Sequence, residues 1–289
     1  LFTCTLKGTL KKERGRIKNL IAVGDFVHID PQGEKEGSIA YIEERKSILS
    51  RAENHMRQME QLIAVNIDQV LITTSVTSPQ FKPFLIDRYI IAAKKGNMTP
   101  LIVINKIDLL NSASEEEKAQ YLHFIEVYRN LGFSIFPVSV VTGEGIAELK
   151  EVMQGKASVF SGQSGVGKSS LINALTGSSL RIGEIVAKTS KGSHTTTTTH
   201  LIPLEGDAFC IDTPGIKSFG LWELTRTDIQ NYFSEIQQIG KKCHYPDCSH
   251  LQEPDCAVQK AVAKGKISPL RFDSYSALMA TLFLKHLPR

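Results

Sequence analysis

The stretch "SGQSGVGKSSLINAL", residues 161–175, restricts the possible folds of this chain more than any other. Gly162, Gly167, Lys168 and Ser169 fit the spacing G-x-x-x-x-G-K-[ST]. Such a loop works only between a strand and a helix. Its glycines let backbone N–H groups wrap phosphates, and the helix N-terminus adds positive potential. Here "ASVF" reads as the strand, and helical spacing follows from residue 167. The cradle spans Gly162, Gln163, Ser164, Gly165, Val166, Gly167, Lys168, Ser169 and Ser170. Lys168 reaches toward β and γ oxygens, and Ser169 is a magnesium ligand candidate.

The surrounding pattern predicts a parallel sheet covered on both faces. "DQVLITTSV", "TPLIVIN", "FSIFPVSV", "KASVFSG", "THLIPLEG" and "AFCIDTPG" read as six strands. Helical patterns alternate with most of them: "PFLIDRYIIAAKKG" stopping at Gly96, a Ser114-capped helix with acids in its first turn, "GIAELKEVM", and the 167–177 helix. Alternation of this kind means an α/β domain. Residues 1–50 differ, with short strand patterns between turn residues, and predict a small barrel. The polar piece 51–61 reads as a linker. Beyond "LWELTRTDIQNYFSEIQQIG" come a cysteine cluster and two helical patterns, roughly 254–265 and 268–286.

Asn105-Lys106-Ile107-Asp108 ends a buried strand pattern, where parallel sheets bind ligands. Asp108 can accept N–H bonds from guanine N1 and N2. Adenine presents an acceptor at that edge, so carboxylate would face lone pair. Two Asp-x-x-Gly phrases occur. Asp30-Pro31-Gln32-Gly33 lies in the barrel region and is set aside. Asp212-Thr213-Pro214-Gly215 follows strand "AFCI", which suits a magnesium-side Asp212 and a Gly215 N–H that senses the γ-phosphate. Between them, "KTSKGSHTTTTTHL" offers Thr195 or Thr196 as a switch ligand to magnesium. His194 is either a neighbour of the γ-phosphate or a plain surface histidine. Every element of a GTP site thus occurs once in a suitable context, but the guanine reader precedes the phosphate loop. That order predicts a circularly permuted GTPase domain.

Five cysteines are present. Cys210 sits in an apolar strand pattern and reads as a buried thiol, and Cys4 stands alone. Cys243-x4-Cys248-x-His250-x5-Cys256 supplies three thiolates and an imidazole, a set suited to closed tetrahedral Zn²⁺ and hence to a structural role. His244 competes with His250 for the imidazole position.

Net charge is only +4, but residues 1–20 hold six Lys or Arg against Glu13, and residues 241–289 hold eight against four acids. Basic ends suit a polyanion; solvated surface faces are the competing reading. No apolar run approaches the roughly 20 residues of a membrane span, and no signal-peptide pattern is visible. The expectation is a cytoplasmic protein without membrane contact. The chain opens at Leu1, so a few preceding residues are expected.

A barrel with "VGDFV" after a basic strand, "NKID", the phosphate loop, "HTTT", "IDTPG" and the Cys/Cys/His/Cys spacing together resemble the bacterial ribosome small-subunit-dependent GTPase A family, also called the RsgA or YjeQ family. The resemblance covers nearly the whole chain. It implies an OB-fold β-barrel at 1–58 that contacts RNA, a permuted P-loop GTPase domain at 59–222, and a mostly helical zinc-binding domain at 223–289. It implies GTP hydrolysis to GDP with Mg²⁺, stimulated by the small ribosomal subunit, and late maturation of that subunit with its 16S rRNA as partner. Ser139-Val140 corresponds to a base-reading loop that is usually Ser-Ala, and Ser193 stands where the family usually has Arg. Nothing in the sequence suggests a dimerisation seam, so a monomer is expected. Ile216 follows Gly215 and cannot orient water as a Gln does, which predicts slow intrinsic hydrolysis. The alternative is an RNA-binding assembly factor that uses GTP occupancy as a signal, with incidental hydrolysis.

Overall fold

A computed structural model of the chain describes residues 2–8, 10, 19–52, 60–176, 200–212 and 225–285. The N-terminal strands are β1 (Thr3–Leu6), β2 (Val27–Pro31), β3 (Glu36–Ile42), β4 (Ile48–Ala52) and β5 (Glu60–Val65). β3 pairs antiparallel with β2 and parallel with β1. β4 and β5 form a separate antiparallel pair, and a parallel bridge joins Val23 to Ala64. β1 and β2 show the intermediate-to-exposed pattern of strands with one wet face. The linker reading of 51–61 gives way at both ends, since β4 runs to Ala52 and β5 begins at Glu60. Pairing across the ladder made these residues strand, and local apolar content did not announce it.

The centre is a six-stranded sheet. It contains β6 (Gln69–Ser75), β7 (Thr99–Asn105), β8 (Ile135–Pro137), β9 (Ala157–Gly162), β10 (His200–Pro203) and β11 (Phe209–Asp212), in the order β10-β11-β9-β6-β7-β8. Only β10 is antiparallel to its neighbour. All seven residues of β6 are buried, as a middle strand covered on both faces requires. The helices are α1 (Pro83–Lys95), α2 (Glu115–Asn130), α3 (Ile146–Met153) and α4 (Lys168–Thr176). Side chains alternate between two cores. Val70, Ile72, Ile102, Ile104, Val159 and Ile211 share one with α1 and α2 residues. Leu71, Leu101, Val103, Phe160 and Cys210 share the other with α3 and α4 residues. The α/β expectation and the buried Cys210 thiol both match.

Local signals set the helix ends. Ser114 caps α2 with a reciprocal Glu117 bond, a capping box. Gly96 ends α1, and a Cβ there would sit 2.3 Å from the Ile48 carbonyl oxygen. That contact lets β4 approach closely, with Ile48 N–H donating to Gly96 O at 3.1 Å.

The C-terminal part is helical: α5 (Arg226–Tyr232), α6 (Ser234–Gly240), α7 (Ala257–Ala263) and α8 (Pro269–Lys285). Thr225 caps α5 with a capping box through Asp228. Ile229, Phe233, Ile236, Val258, Tyr275, Leu278 and Met279 form its core, which also contains Cys248 and Cys256. Among the described residues no helix is long and apolar enough to cross a membrane.

Candidate nucleotide site and metal cluster

The carboxyl ends of β6, β7 and β9 lie side by side, in parallel register from Gln69 with Thr99 and Ser158 upward. Loops leaving these ends therefore converge, which is where open α/β sheets bind ligands. The loop after β9 is the phosphate loop. Gly162, Gly165 and Gly167 have φ of 148°, 85° and 94°, a region open to glycine and costly for other residues. A Cβ on Gly162 would lie 2.0 Å from the Thr73 carbonyl oxygen of β6. α4 begins at Lys168, with Ser169 and Ser170 exposed in its first turn. Lys168 Nζ donates to Gly162 O at 2.9 Å and Gln163 O at 2.8 Å, so the ammonium is folded over the loop.

The loop after β7 touches the first directly. Asn105 is buried, and its Nδ2 donates to Val166 O at 2.9 Å. A Cβ on Gly167 would come 2.4 Å from that Nδ2, so glycine there is a condition of the contact. Lys106 is left-handed, with φ of 64°. Its Nζ donates to Gly165 O at 2.7 Å and to Ser78 O at 2.6 Å. Asp108 Oδ1 accepts from Ser139 Oγ at 2.5 Å, and Ser139 Oγ accepts from the Thr142 N–H at 3.2 Å. Ser139 is fully buried, Val140 half-buried beside it. Ile107 is buried beneath the loop. Asn105 and Lys106 thus tie the guanine phrase to the phosphate loop, and Ser139 aims the Asp108 carboxylate.

Asp212 ends β11, which pairs parallel with β9 through Ile211 and Val159, so its backbone comes out at the same edge. His194, Thr195, Thr196 and Gly215, with Ser193 and Ile216, lie outside the described residues. Asp30-Pro31-Gln32-Gly33 forms the end of β2 and the turn into β3, apart from this edge. Sequence reading missed Ser78 and Thr73. Both act through backbone carbonyls, which any residue type supplies, so no side-chain signal exists for them.

The second centre is the cysteine cluster. The donor atoms of Cys243, Cys248, His250 and Cys256 all lie within 4.8 Å of one another. Cys243 Sγ is 3.8 Å from Cys256 Sγ, and His250 Nδ1 is 3.5 Å from each of those two sulfurs. A tetrahedron with Zn–S near 2.3 Å and Zn–N near 2.05 Å has edges of about 3.8 and 3.5 Å. The donor set therefore fits zinc in type, and Cys243, His250 and Cys256 fit it in spacing, with Cys248 within 4.8 Å of the other donors. His244 is not in the cluster; it packs edge-on against Tyr245, which decides for His250. A Cβ on Gly240 would come 2.9 Å from His250 Nε2, so Gly240 makes room for the ring. Burial holds the His250 imidazole below its usual range, hence neutral and able to ligate. Burial also pushes the Cys248 thiol up to about 12, so it keeps its proton at neutral pH, and a metal ion binding its sulfur would displace that proton to solvent.

A permuted chain with both loops at one sheet edge has counterparts among known proteins. The RsgA GTPase family model matches residues 42–222, well over half of the chain. The chain belongs to the RsgA GTPase family. An RsgA of Chlorobaculum parvum named as a small ribosomal subunit biogenesis GTPase is 42% identical, over 96% of this chain and 90% of that protein. The RsgA of Bacteroides fragilis, of the same name, is 38% identical over 96% of this chain and 89% of its own length. Among solved structures, YjeQ from Thermotoga maritima superposes with a TM-score of 0.75 at 30% identity, covering 97% of this chain and 89% of that one. YloQ, described as a circularly permuted GTPase, gives 0.73 at 29%, covering 100% and 88%. The RsgA fold accounts for the order in which the motifs occur: guanine reader first, phosphate loop second, one three-dimensional site.

The Asp108 geometry gives a first prediction. Asp108→Asn is expected to weaken GTP binding by roughly 10²- to 10³-fold, because two charge-assisted bonds to guanine are lost or reversed. Xanthine triphosphate, with an acceptor where guanine has its amino group, should bind this variant better than GTP. Competition against a fluorescent guanine nucleotide measures both; an unchanged preference for GTP would remove Asp108 from base recognition.

Proposed function

We propose that this protein is a GTPase that binds the small ribosomal subunit and assists its late maturation. It cleaves GTP to GDP and phosphate in response to that subunit. The observation that carries the reading is the pair of contacts from Asn105 to Val166 and from Lys106 to Gly165, which join base reader and phosphate cradle into one site. The relatives' names as small ribosomal subunit biogenesis GTPases support the cellular role. The basic stretch at 1–20 and the Lys and Arg residues of 241–289 other than the buried Arg271 suit contact with 16S rRNA.

In this reading Gly162–Ser170 hold the phosphates through backbone N–H groups, and Lys168 swings from the loop carbonyls to the β/γ oxygens. Asn105, Lys106, Ile107, Asp108, Ser139 and Val140 hold guanine. Ser169 and Asp212 would hold Mg²⁺, which supplies charge neutralisation at the phosphates. Thr195 or Thr196 and Gly215 sense the γ-phosphate, with His194 as their neighbour. Cys243, Cys248, His250 and Cys256 hold one structural Zn²⁺. The chain divides into an RNA-binding barrel at 1–58, which β5 joins by its pairing with β4, the GTPase at 59–222 and the zinc domain at 223–289, and works as a cytoplasmic monomer.

Ile216 offers no group to orient the attacking water, so the purified protein is expected to turn over GTP slowly. Added small subunits should accelerate it on the order of 10²-fold or more, in the range that a supplied activating group provides elsewhere. ATP should not be turned over. A phosphate-release assay with and without subunits is decisive. A fast basal rate would sink the water-orientation argument. Tight GTP binding without stimulation would favour an assembly factor that uses GTP occupancy alone.

A further inference from the structure

α1 belongs to two cores at once. Ile86, Tyr89, Ile90 and Ala93 pack in the core on the sheet. Ile91 instead belongs to the C-terminal core, with Phe84 packed beside it. Asp87 lies between those two on the same helical face, and is 1% exposed. Its Oδ1 pairs with Arg271 Nη1 on α8, and its Oδ2 accepts from Tyr128 Oη on α2 at 2.7 Å. Arg271 is 2% exposed. Its Nε donates to Glu235 Oε1 on α6 at 2.7 Å. Its guanidinium lies 4.2 Å from the Phe233 ring centre and 5.2 Å from that of Tyr128. One buried fork therefore ties α1, α2, α6 and α8 together.

Such a fork is a weak source of stability, because desolvation offsets most of its Coulomb energy and apolar residues of like volume hold as well. What it adds is direction: a planar guanidinium satisfies its carboxylates in one arrangement only. The fork is also continued on both sides. On α8, Tyr275 lies one turn beyond Arg271 and donates from Oη to Ser249 O at 2.8 Å, between Cys248 and His250. On the GTPase side, the connection from β6 into α1 carries Ser78, whose carbonyl holds Lys106 of the guanine phrase. A contiguous chain of contacts thus runs from the cysteine loop to the base reader.

We propose that Arg271 and Asp87 are positioning residues that hold the Cys/His domain in a single register on α1 and so couple it to the nucleotide site. This rests on the GTPase reading above. Coupling between two sites is reciprocal in binding free energy, so if nucleotide state alters the docking of α8, docking alters the preference between GTP and GDP. The effect on subunit-stimulated turnover does not follow from reciprocity and is part of the proposal itself.

The test uses the full chain and the triple variant Asp87→Asn with Arg271→Met and Glu235→Gln, so that neither carboxylate bound to Arg271 is left stranded by the loss of its arginine. Arg271→Lys serves as the conservative partner. In the unaltered protein, amide exchange across α8 should differ by about fivefold between GDP and a non-hydrolysable GTP analogue. In the triple variant that difference should vanish, with GDP affinity held within about twofold and melting unchanged. Subunit-stimulated kcat should fall by about fivefold or more at unchanged KM for GTP, and Arg271→Lys, which cannot form the fork, should not restore it. Exchange across α8 that ignores nucleotide in the unaltered protein overturns the inference. So does a triple variant that keeps both the exchange difference and the stimulation. Should the unaltered protein show no stimulation by subunits, the ribosomal reading fails, while the exchange arm still decides the lock.

Discussion

Replacing Lys168 by Ala is expected to lower GTP turnover by roughly 10²- to 10³-fold, the effect of deleting one stabilising charge from a reacting site. The ammonium sits at the mouth of the phosphate loop, held by the carbonyls of Gly162 and Gln163. From those two bonds it would swing to the β/γ oxygens of a bound GTP and stabilise the charge that develops there. Its loss should cost little folding stability, on the order of 1 kcal/mol or less, because both carbonyls can turn to water. A variant that melts like the parent but no longer hydrolyses GTP, with or without subunits, is the expected result. The split between kcat and KM matters as well. Loss in kcat marks a contact made in the transition state, whereas loss in KM alone marks plain binding. Unchanged turnover would mean that Lys168 is an ornament of the loop and that the reaction centre lies elsewhere.

Removing metal from the Cys/His cluster is expected to unfold the C-terminal helices while the six-stranded sheet remains. Binding to a structural zinc site of this kind contributes roughly 10 to 16 kcal/mol in small peptides, and that energy is folding energy. Cys248 and Cys256 are members of the C-terminal core, so an empty cluster leaves polar thiols among Phe233, Val258 and Tyr275. The helices around it are short, seven residues each for α5, α6 and α7, and cannot stand without that core. The sheet has its own two cores and needs no metal. Chelator treatment should therefore split thermal unfolding into two steps, with the early one reporting loss of helical signal. Cys256→Ala should do the same without chelator. A single unchanged transition in chelator would show that the cluster holds no structural ion.

Among the described residues, the candidate site was legible from sequence where a side chain or a glycine makes the contacts. Gly162, Gly167, Lys168, Asn105 and Asp108 announce themselves by type and spacing, and the structure brings both loops to one edge. Cys243, Cys248, His250 and Cys256 did so as well, although spacing left His244 in contention until packing excluded it. The strand at Glu60–Val65 was not legible, because its partner β4 is what makes it a strand. Ser78 and Thr73 were not legible because a carbonyl has no sequence signature. Nor was the Asp87–Arg271 pair, whose partners lie 184 residues apart in the chain.

Motif order in the chain was enough to specify the permutation and the nucleotide class, since each depends on local spacing and on the chemistry of a few side chains. Which helices share a core was settled only in three dimensions. α1 reads in sequence only as a helix that stops at Gly96, with no signal at Asp87. In the folded molecule that residue is the point where the GTPase sheet and the Cys/His domain meet. The physical reason is that burial of a charge pays no local dividend: Asp87 is tolerated inside only because Arg271 arrives from the far end of the chain.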